Sequence, residues 1–305
     1  MLLKRFIQDK FDSIKLSTKE RATIMGFNPS AAFGKVFWVC ETNGNDNYDG
    51  LSPQRPFATV EVAITANNTA FDLNNHNQNT MYINAQTYTE NLTAFPKNCD
   101  VIGIGGKVRI QGYHAFSHAQ NCRIHNLQFR CSDAGVPIVS ATGNCHGLSF
   151  DKCVFDSQAA ITENILYAGN SSDLVVNNCR MGYETNAVNS PDYVIRFAGV
   201  AAQRAEITNN RLWSTGVGIQ VESTMTSGGF VLIKDNVISN NPARDNQMAF
   251  GIKDLTPSPS GALIVHNYIS AVDAIYYSVT GAKSQNLCID NYVVQGGTAT
   301  REDSF

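Results

Sequence analysis

Glu222 and Asp254 are the two carboxylates of this sequence with the best prospect of acid–base chemistry. Each follows a short apolar segment of β-strand composition, and the two segments belong to successive repeats of the chain. A glycoside hydrolase needs two carboxyl groups about 5–9.5 Å apart on one surface. We keep this pair as weak catalytic candidates and predict no other catalytic residue.

Three other acids, Asp151, Asp235 and Asp290, occur at the turn that closes one strand of the repeat. Neighbouring repeats carry Asn177 and His266 near the same place. Acid, amide and imidazole therefore alternate there without the fixed pair of carboxylates that cleavage requires. This pattern favours a polar ladder along the turns over a catalytic site.

Arg196, Glu222 and Lys253 come from the second strand of three successive repeats. Side chains of opposite charge on neighbouring strands attract each other by a few tenths of a kcal/mol per pair when they are exposed. The sequence therefore predicts a charged surface ladder at these positions.

Metal ligands do not occur at the spacings that metal sites use. The six histidines show no metal spacing, and the eight cysteines lack a CxxC pair. Asn45, Asn47 and Asp49 resemble half of a calcium loop, but Pro56 stands where that loop needs a glutamate. We predict a turn there, no metal or other cofactor, and buried free thiols in a protein assembled in a reducing cytosol.

The composition excludes several functional classes. Net charge is −3 and the isoelectric point is about 6.1, so we expect no nucleic-acid partner. No apolar run reaches the roughly 18–20 residues of a membrane span, and the N-terminus lacks the apolar core of a signal peptide, so we expect no membrane partner either. The 31 asparagines favour turns and argue against a helical bundle.

The elements that must position these residues repeat along the chain from residue 98 onward. An apolar-x-apolar-x-Asn pattern returns at steps of 26, 26, 32, 26, 31 and 24 residues, and a second series precedes it at steps of 23, 23 and 26. The first series is anchored on Asn126, Lys152, Asn178, Asn210, Asn236, Asn267 and Asn291, and the second on Asn98, Asn121, Asn144 and Asn170. A period of this length is typical of a solenoid.

Each repeat carries two or three strands of three to five residues, rich in Val, Ile and aromatic side chains. One strand set covers 137–140, 164–167, 193–197, 218–221, 250–253 and 274–277. A single repeat cannot bury its apolar face, but repeats stacked in register can. We predict an all-β fold, a single-stranded right-handed parallel β-helix of about eight to nine coils, and exclude leucine-rich repeats because the dense leucine pattern is absent.

The segments NGNDNYDG at 43–50, LSPQRPFATV at 51–60 and QTYTENL at 86–92 resemble the opening of pectin-lyase-like β-helix proteins. Such openings belong to phage tail-spike-like and virion surface proteins and also to carbohydrate-active enzymes, so the resemblance implies architecture more than activity. The catalytic signatures of polygalacturonases and pectate lyases are absent, and of the methylesterase motifs only the Thr87–Glu90 segment is present.

The chain divides into three regions. Residues 1–36 form an N-terminal arm with an amphipathic helix at 2–15, which either caps the solenoid or docks onto another subunit. Residues 37–295 form the β-helix, and residues 296–305 form a C-terminal tail. Extra length at about 182–192 and 239–248 predicts surface loops, which are binding or subunit contacts in many solenoids.

We predict a structural protein of a bacteriophage virion, most consistent with a homotrimeric capsid decoration or cement protein that contacts the major capsid protein, and we expect it not to be an enzyme. Two alternatives remain: a tailspike or receptor-binding protein that binds or cleaves host polysaccharide, and a free polysaccharide lyase or hydrolase. The candidate binding and interface residues are Phe6, Phe11, Tyr183, Asp192, Trp213, Arg244 and Tyr277.

Overall fold

The computed structural model describes residues 34–72, 78–169, 172–182, 191–198, 204–222, 230–240, 248–255, 262–277, 287–295 and 298–302. In these residues the chain is almost entirely β-strand, with one helix. The strands stack into long parallel sheets, which confirms the predicted parallel β-helix. The predicted arm helix at 2–15 lies outside the described residues.

The strands form three faces, which we call A, B and C. Face A contains β1 (Val36–Val39), β2 (Asn79–Asn84), β4 (Cys99–Ile104), the second halves of β6 (His114–His125) and β8 (Val139–Asp151), β11 (Leu174–Asn177), β14 (Arg204–Thr208), β17 (Phe230–Lys234), β20 (Ala262–Val265) and β23 (Leu287–Ile289).

Face B follows face A in every coil. It contains β3 (Thr87–Thr89), β5 (Arg109–Gln111), β7 (Gln128–Cys131), β9 (Val154–Ser157), β12 (Arg180–Met181), β15 (Arg211–Trp213), β18 (Val237–Ser239), β21 (Tyr268–Ala271) and β24 (Asn291–Gln295). A final strand, β25 (Thr298–Glu302), pairs antiparallel with β24. This strand lies inside the predicted tail, where the sequence indicated no element.

Face C completes the coil. It contains the first halves of β6 and β8, then β10 (Glu163–Ala168), β13 (Tyr193–Ala198), β16 (Val217–Val221), β19 (Phe250–Asp254) and β22 (Asp273–Tyr277). These strands match the second strand set of the sequence. From β2 and β3 to β23 and β24, nine successive pairs of face A and face B strands give nine coils, within the predicted range.

The core runs through the inside of the coils because side chains alternate inward and outward along each strand. The largest rings pack against one another: the Phe129 and Phe155 ring centroids are 5.3 Å apart, and Phe150 lies 5.3 Å from Phe155. All eight cysteines are buried free thiols, as predicted. Neighbouring coils therefore supply the burial that one coil lacks.

At the turn from face A to face B, the predicted repeat is out of register by one residue in the last four coils. In each coil of the first series one residue has a positive φ, and its backbone N–H donates to the next coil: Asn126, Lys152, Asn178, Asn209, Asp235 and His266, with Asp290 at the same place in the last. The predicted anchors Asn210, Asn236, Asn267 and Asn291 are wrong by one residue. The true steps are 26, 26, 31, 26, 31 and 24.

The earlier series of predicted anchors is also out of register, from its third member onward. Asn98, Asn121, Gly147 and Asp173 share the positive φ, whereas the sequence predicted Asn144 as the third member. Cys122 pairs with Leu148, and Cys145 pairs with Ala119, so the two cysteines are not equivalent. Asn144 therefore lies three residues before the true equivalent of Asn121, and the irregular pairing between Phe116 and His118 shifts the register of the same strands by one residue.

The residue after the positive-φ position points inward and forms what we call the inner asparagine ladder. Its members are Asn210, Asn236, Asn267 and Asn291, and all are buried. The side-chain oxygens of Asn236, Asn267 and Asn291 accept bonds from the asparagine of the preceding coil, and that of Asn210 accepts the Cys179 N–H at 2.8 Å. Each Nδ2 also donates to a backbone carbonyl, such as Ile207 O for Asn236 at 2.8 Å. Cys153 and Cys179 occupy the same place in earlier coils.

The helix α1 (Val60–Asp72) covers the first coils with its buried residues Val60, Ala63 and Ile64. The Glu90 carboxylate accepts the backbone N–H groups of Val60 and Glu61, each at 2.9 Å. These donors have no partner inside a helix, so an acid there satisfies them and matches the helix dipole. Through Glu90, the segment at 87–90 thus binds the N-terminus of α1 to the solenoid.

The calcium-like segment is a turn, as predicted. Asn45 Oδ1 accepts Asn47 N at 2.9 Å, and Asp49 Oδ1 accepts Leu51 N at 3.2 Å. Asp46 turns away from them and accepts the backbone N–H groups of Ala58 and Thr59. Asp46 therefore supports the start of α1, whereas Asp49 closes the turn itself.

Candidate functional site

Glu222 follows β16 on the outer side of face C, where Arg196 of β13 holds it. Arg196 Nε and Nη2 donate to the two Glu222 oxygens at 2.9 and 3.1 Å, and Arg196 Nη1 donates to Glu163 at 2.9 Å. Gln220 Nε2 also donates to Glu222 at 2.5 Å. Both oxygens of Glu222 are therefore engaged by protein donors.

Asp254 points the other way. It pairs in register with Val221 and is 3% exposed, so it lies on the inner side of β19. Residues adjacent along a strand face opposite sides, and Glu222 comes directly after Val221. The two candidate acids thus lie on neighbouring coils but on opposite sides of face C.

The charged ladder is present in part. The hydrogen bonds that Arg196 donates to Glu222 and Glu163 raise the pKa of Arg196, which bridges the two acids. Burial and the neighbouring Glu163 raise the pKa of Asp192. Of the two contact residues predicted in the 182–192 loop, Tyr183 and Asp192, only Asp192 is among the described residues. Lys253 lies 4.5 Å from the centre of the Phe250 ring. Face C therefore holds one compact ion cluster around Arg196.

The remaining candidate contact residues are scattered. Trp213 lies on the outer side of face B with the Arg180 guanidinium 5.8 Å from its ring centre. Tyr277 ends β22 on face C. Phe6, Phe11, Tyr183 and Arg244 lie outside the described residues.

The turn acids form the predicted polar ladder along the outside of the solenoid. His266 Nδ1 lies 3.6 Å from Asp235, and its Nε2 lies 3.5 Å from Asp290. Further along, Asn177 Nδ2 donates to Asp151 at 2.8 Å. Among the described residues, no group of three or more His, Cys, Asp and Glu side chains is arranged to hold a metal ion.

Sequence reasoning missed a groove of about 420 Å³ on the outer side of face B, which we call the basic groove. It is lined by Gly106, Lys107, Val108, Asn126, Leu127, Gln128, Arg130, Lys152, Val154, Asp156 and Arg180. Four of these residues are cationic and one is acidic. The sequence carries no direct signal for it, because the cations fall near the start of successive face B strands only when the coils are aligned by the positive-φ residues that the structure reveals.

The groove is organised around Asp156. Arg130 and Gln128 both donate to its Oδ2, and Gln128 in turn accepts the Arg109 Nε at 3.2 Å. Burial and the nearby charge of Arg130 lower the pKa of Arg109. Asp156 thus pairs directly with one cation, Arg130, and the groove keeps a positive charge.

The outer surface changes character along the axis. Eight of the eleven large apolar side chains that are exposed in the described residues lie between 230 and 292. We call the cluster on faces A and B of the last three coils the C-terminal apolar surface: Phe230, Leu232, Leu263, Leu287 and Ile289 on face A, and Val237, Tyr268 and Tyr292 on face B. The Tyr268 and Tyr292 rings stack 5.4 Å apart.

No helix within the described part of the chain has the length and apolarity to cross a membrane. No protein-family model matches the sequence, and no curated protein matches it. A solved rhamnogalacturonan lyase resembles it over 85% of this chain and 87% of that chain, with a TM-score of 0.35 and 10% identity. A likeness of this size transfers no activity.

Proposed function

We propose that this protein is a structural component of a bacteriophage particle that self-associates side by side as a homotrimer. The observation that carries the self-association is the C-terminal apolar surface. Leu287 is 48% exposed and Tyr292 is 52% exposed, and they lie on two adjacent faces of the same coil. Exposed apolar side chains concentrated at one end of a molecule mark association surfaces.

Three copies side by side would cover this surface on every subunit, because closed symmetry lets one face meet another face of the next copy. Stable interfaces bury about 1,200 Å² or more in total, with tyrosine enriched at their centres. The stacked Tyr268 and Tyr292 fit that composition. Because this surface lies on the last three coils, the trimer would leave the charged outer faces of the earlier coils free for other contacts.

The position on the particle rests on the resemblance of residues 43–92 to the openings of virion surface proteins. We propose a decoration role on the capsid, with the major capsid protein as the partner. Cleavage of a host glycan is the less favoured function, since Glu222 is held by Arg196 and Asp254 faces inward. A hydrolase would need both carboxylates on one surface.

The oligomer is tested by light scattering coupled to size-exclusion chromatography. The native chain is expected to elute with three times its 33.3 kDa mass. The double variant Leu287→Lys/Tyr292→Lys is expected to elute as a monomer. Leu51→Lys is the matched control, since Leu51 is 49% exposed but lies outside the surface. A monomeric native chain would contradict the proposal.

The particle role has its own test. Cryo-electron microscopy of the native assembly is expected to show this chain at icosahedral three-fold axes of the head. Density on the tail would transfer the protein to host binding, and release of unsaturated or reducing ends from bacterial polysaccharide would make it an enzyme.

A further inference from the structure

The basic groove concentrates positive charge on a chain whose net charge is negative. Lys107, Arg109, Arg130, Lys152 and Arg180 lie in or beside it, against the single acid Asp156. The local balance is therefore five positive charges to one negative charge. The whole chain carries −3, so this groove is a local reversal of the overall field, which is how proteins attract a charged partner to one place.

The cations are spaced along the axis. Lys107 and Arg109 belong to the coil of β5, Arg130 to β7, Lys152 to the turn before β9, and Arg180 to β12. Because β5, β7, β9 and β12 are successive strands of one sheet, each coil is about 4.8 Å from the next. The groove thus presents at least one cation per coil over four coils.

We propose that the basic groove binds an extended, acidic segment of another polypeptide through its Asp and Glu carboxylates. In an extended chain, alternate side chains lie on one side about 6.6–7 Å apart. Two or three carboxylates would then reach the cations of the four coils. Guanidinium groups suit this task because they bind carboxylates with two parallel hydrogen bonds.

The rest of the lining fits a peptide. Val154 offers a partly exposed aliphatic contact between the cations, and Asn126 adds an amide, while Val108 and Leu127 form the buried floor. The lining itself contains no aromatic ring, and the Trp213 ring beside it faces the Arg180 guanidinium at 5.8 Å. A long polyanion would continue past the groove onto a chain of net negative charge, whereas a short acidic segment ends within it.

This inference is independent of the trimer, because the groove lies on early coils and the C-terminal apolar surface lies on the last three. Failure of one proposal therefore leaves the other standing. The basic groove is an additional binding site, and its partner carries exposed acidic residues.

The test is fluorescence anisotropy of the full chain with a labelled peptide of alternating Glu and Val. A peptide of alternating Gln and Val is the ligand control. Binding is expected for the Glu peptide only, and its affinity is expected to fall as NaCl is raised, since exposed charges are screened.

The double variant Lys107→Glu/Lys152→Glu reverses two charges of the groove and is expected to weaken binding at least about tenfold. Lys234→Glu is the matched control, because Lys234 ends β17 on face A, away from the groove, and its side chain is 44% exposed. It is expected to bind within about twofold of the native chain. Circular dichroism melting verifies that both variants are folded.

Three results would overturn the proposal. The first is equal binding of the Glu and Gln peptides, and the second is equal binding of the Glu peptide by the native chain and the double variant. The third is an oligogalacturonate that binds more tightly than the Glu peptide and loses its binding in the double variant, which would make the groove a glycan site.

Discussion

Asn236 donates both its backbone N–H and its side-chain Nδ2 to the Oδ1 of Asn267, at 3.0 and 2.9 Å. The two residues are 31 positions apart and occupy the same inward place in successive coils. A buried amide satisfied on all sides by its neighbours above and below fixes the stacking register, because no other register pairs the same groups.

Asn267→Ala is expected to destabilise the protein by about 3 kcal/mol. The change leaves the Asn236 N–H and Nδ2 without their acceptor and removes the donor to the Ile233 carbonyl. Urea denaturation followed by circular dichroism measures the loss. Asn47→Ala, at an exposed turn, is the control and is expected to change stability by less than about 0.5 kcal/mol. Equal effects of the two substitutions would refute a special role of the ladder.

Glu90→Ala is expected to cost about 2 kcal/mol, because two helix N–H groups lose a carboxylate acceptor. The loss comes from the cap of the solenoid, so we expect it to appear also as faster hydrogen exchange in α1. Glu41→Ala removes an exposed acid nearby and serves as the control. Unchanged exchange in α1 of the Glu90 variant would show that the helix is held by packing alone.

His114 predicts an acid-sensitive step in stability. Burial lowers its pKa to about 4, whereas an unfolded histidine has a pKa of about 6.5. The unfolded chain therefore binds more protons between pH 6.5 and pH 4, so the free energy of unfolding falls as pH falls through this window. The full difference is about 3 kcal/mol.

Denaturation curves measured every half pH unit test this slope. His114→Gln keeps an acceptor for the Leu92 N–H but does not titrate, so its curve is expected to be flatter between pH 6.5 and 4. Parallel curves for the native chain and the variant would mean that His114 is not the group responsible.

Arg196→Met is expected to destabilise the protein by about 2–3 kcal/mol. Glu163 is 3% exposed and would lose its cation, whereas the partial exposure of Arg196 keeps the effect below that of a fully buried pair.

Glu163→Gln in the Arg196→Met background removes the unpaired charge and is expected to restore about half of the loss. Thermal melting of the native chain, both single variants and the double variant gives the coupling between the two side chains. Additive effects would show that the Arg196–Glu163 contact contributes nothing.

Several parts of the fold follow from the sequence because they depend on local periodicity. Alternation of apolar residues and the 24–31-residue period predict parallel strands stacked in coils, and the cysteines within those apolar positions predict buried thiols. The predicted charged ladder follows in part, since Arg196 and Glu222 come from neighbouring coils and contact each other, although the register partner of Arg196 is Gln220, two residues before Glu222.

The exact register does not follow from the pattern. Asn209 and Asn210 look alike in the sequence, but only Asn209 takes the positive φ, while Asn210 turns inward to join the ladder. Which of the two residues takes the positive φ depends on its contacts with the next coil, and these contacts exist only once the coils are stacked.

The sequence by itself determined a coiled β-solenoid whose interior is apolar, because burial and strand alternation act over a few residues. Only the tertiary structure decided which distant residues share a surface. Lys107 and Arg180 are 73 positions apart yet line one groove, and Glu90 reaches the first turn of α1 thirty residues earlier. Such contacts depend on how each coil closes and on its offset from the next, which no local pattern encodes.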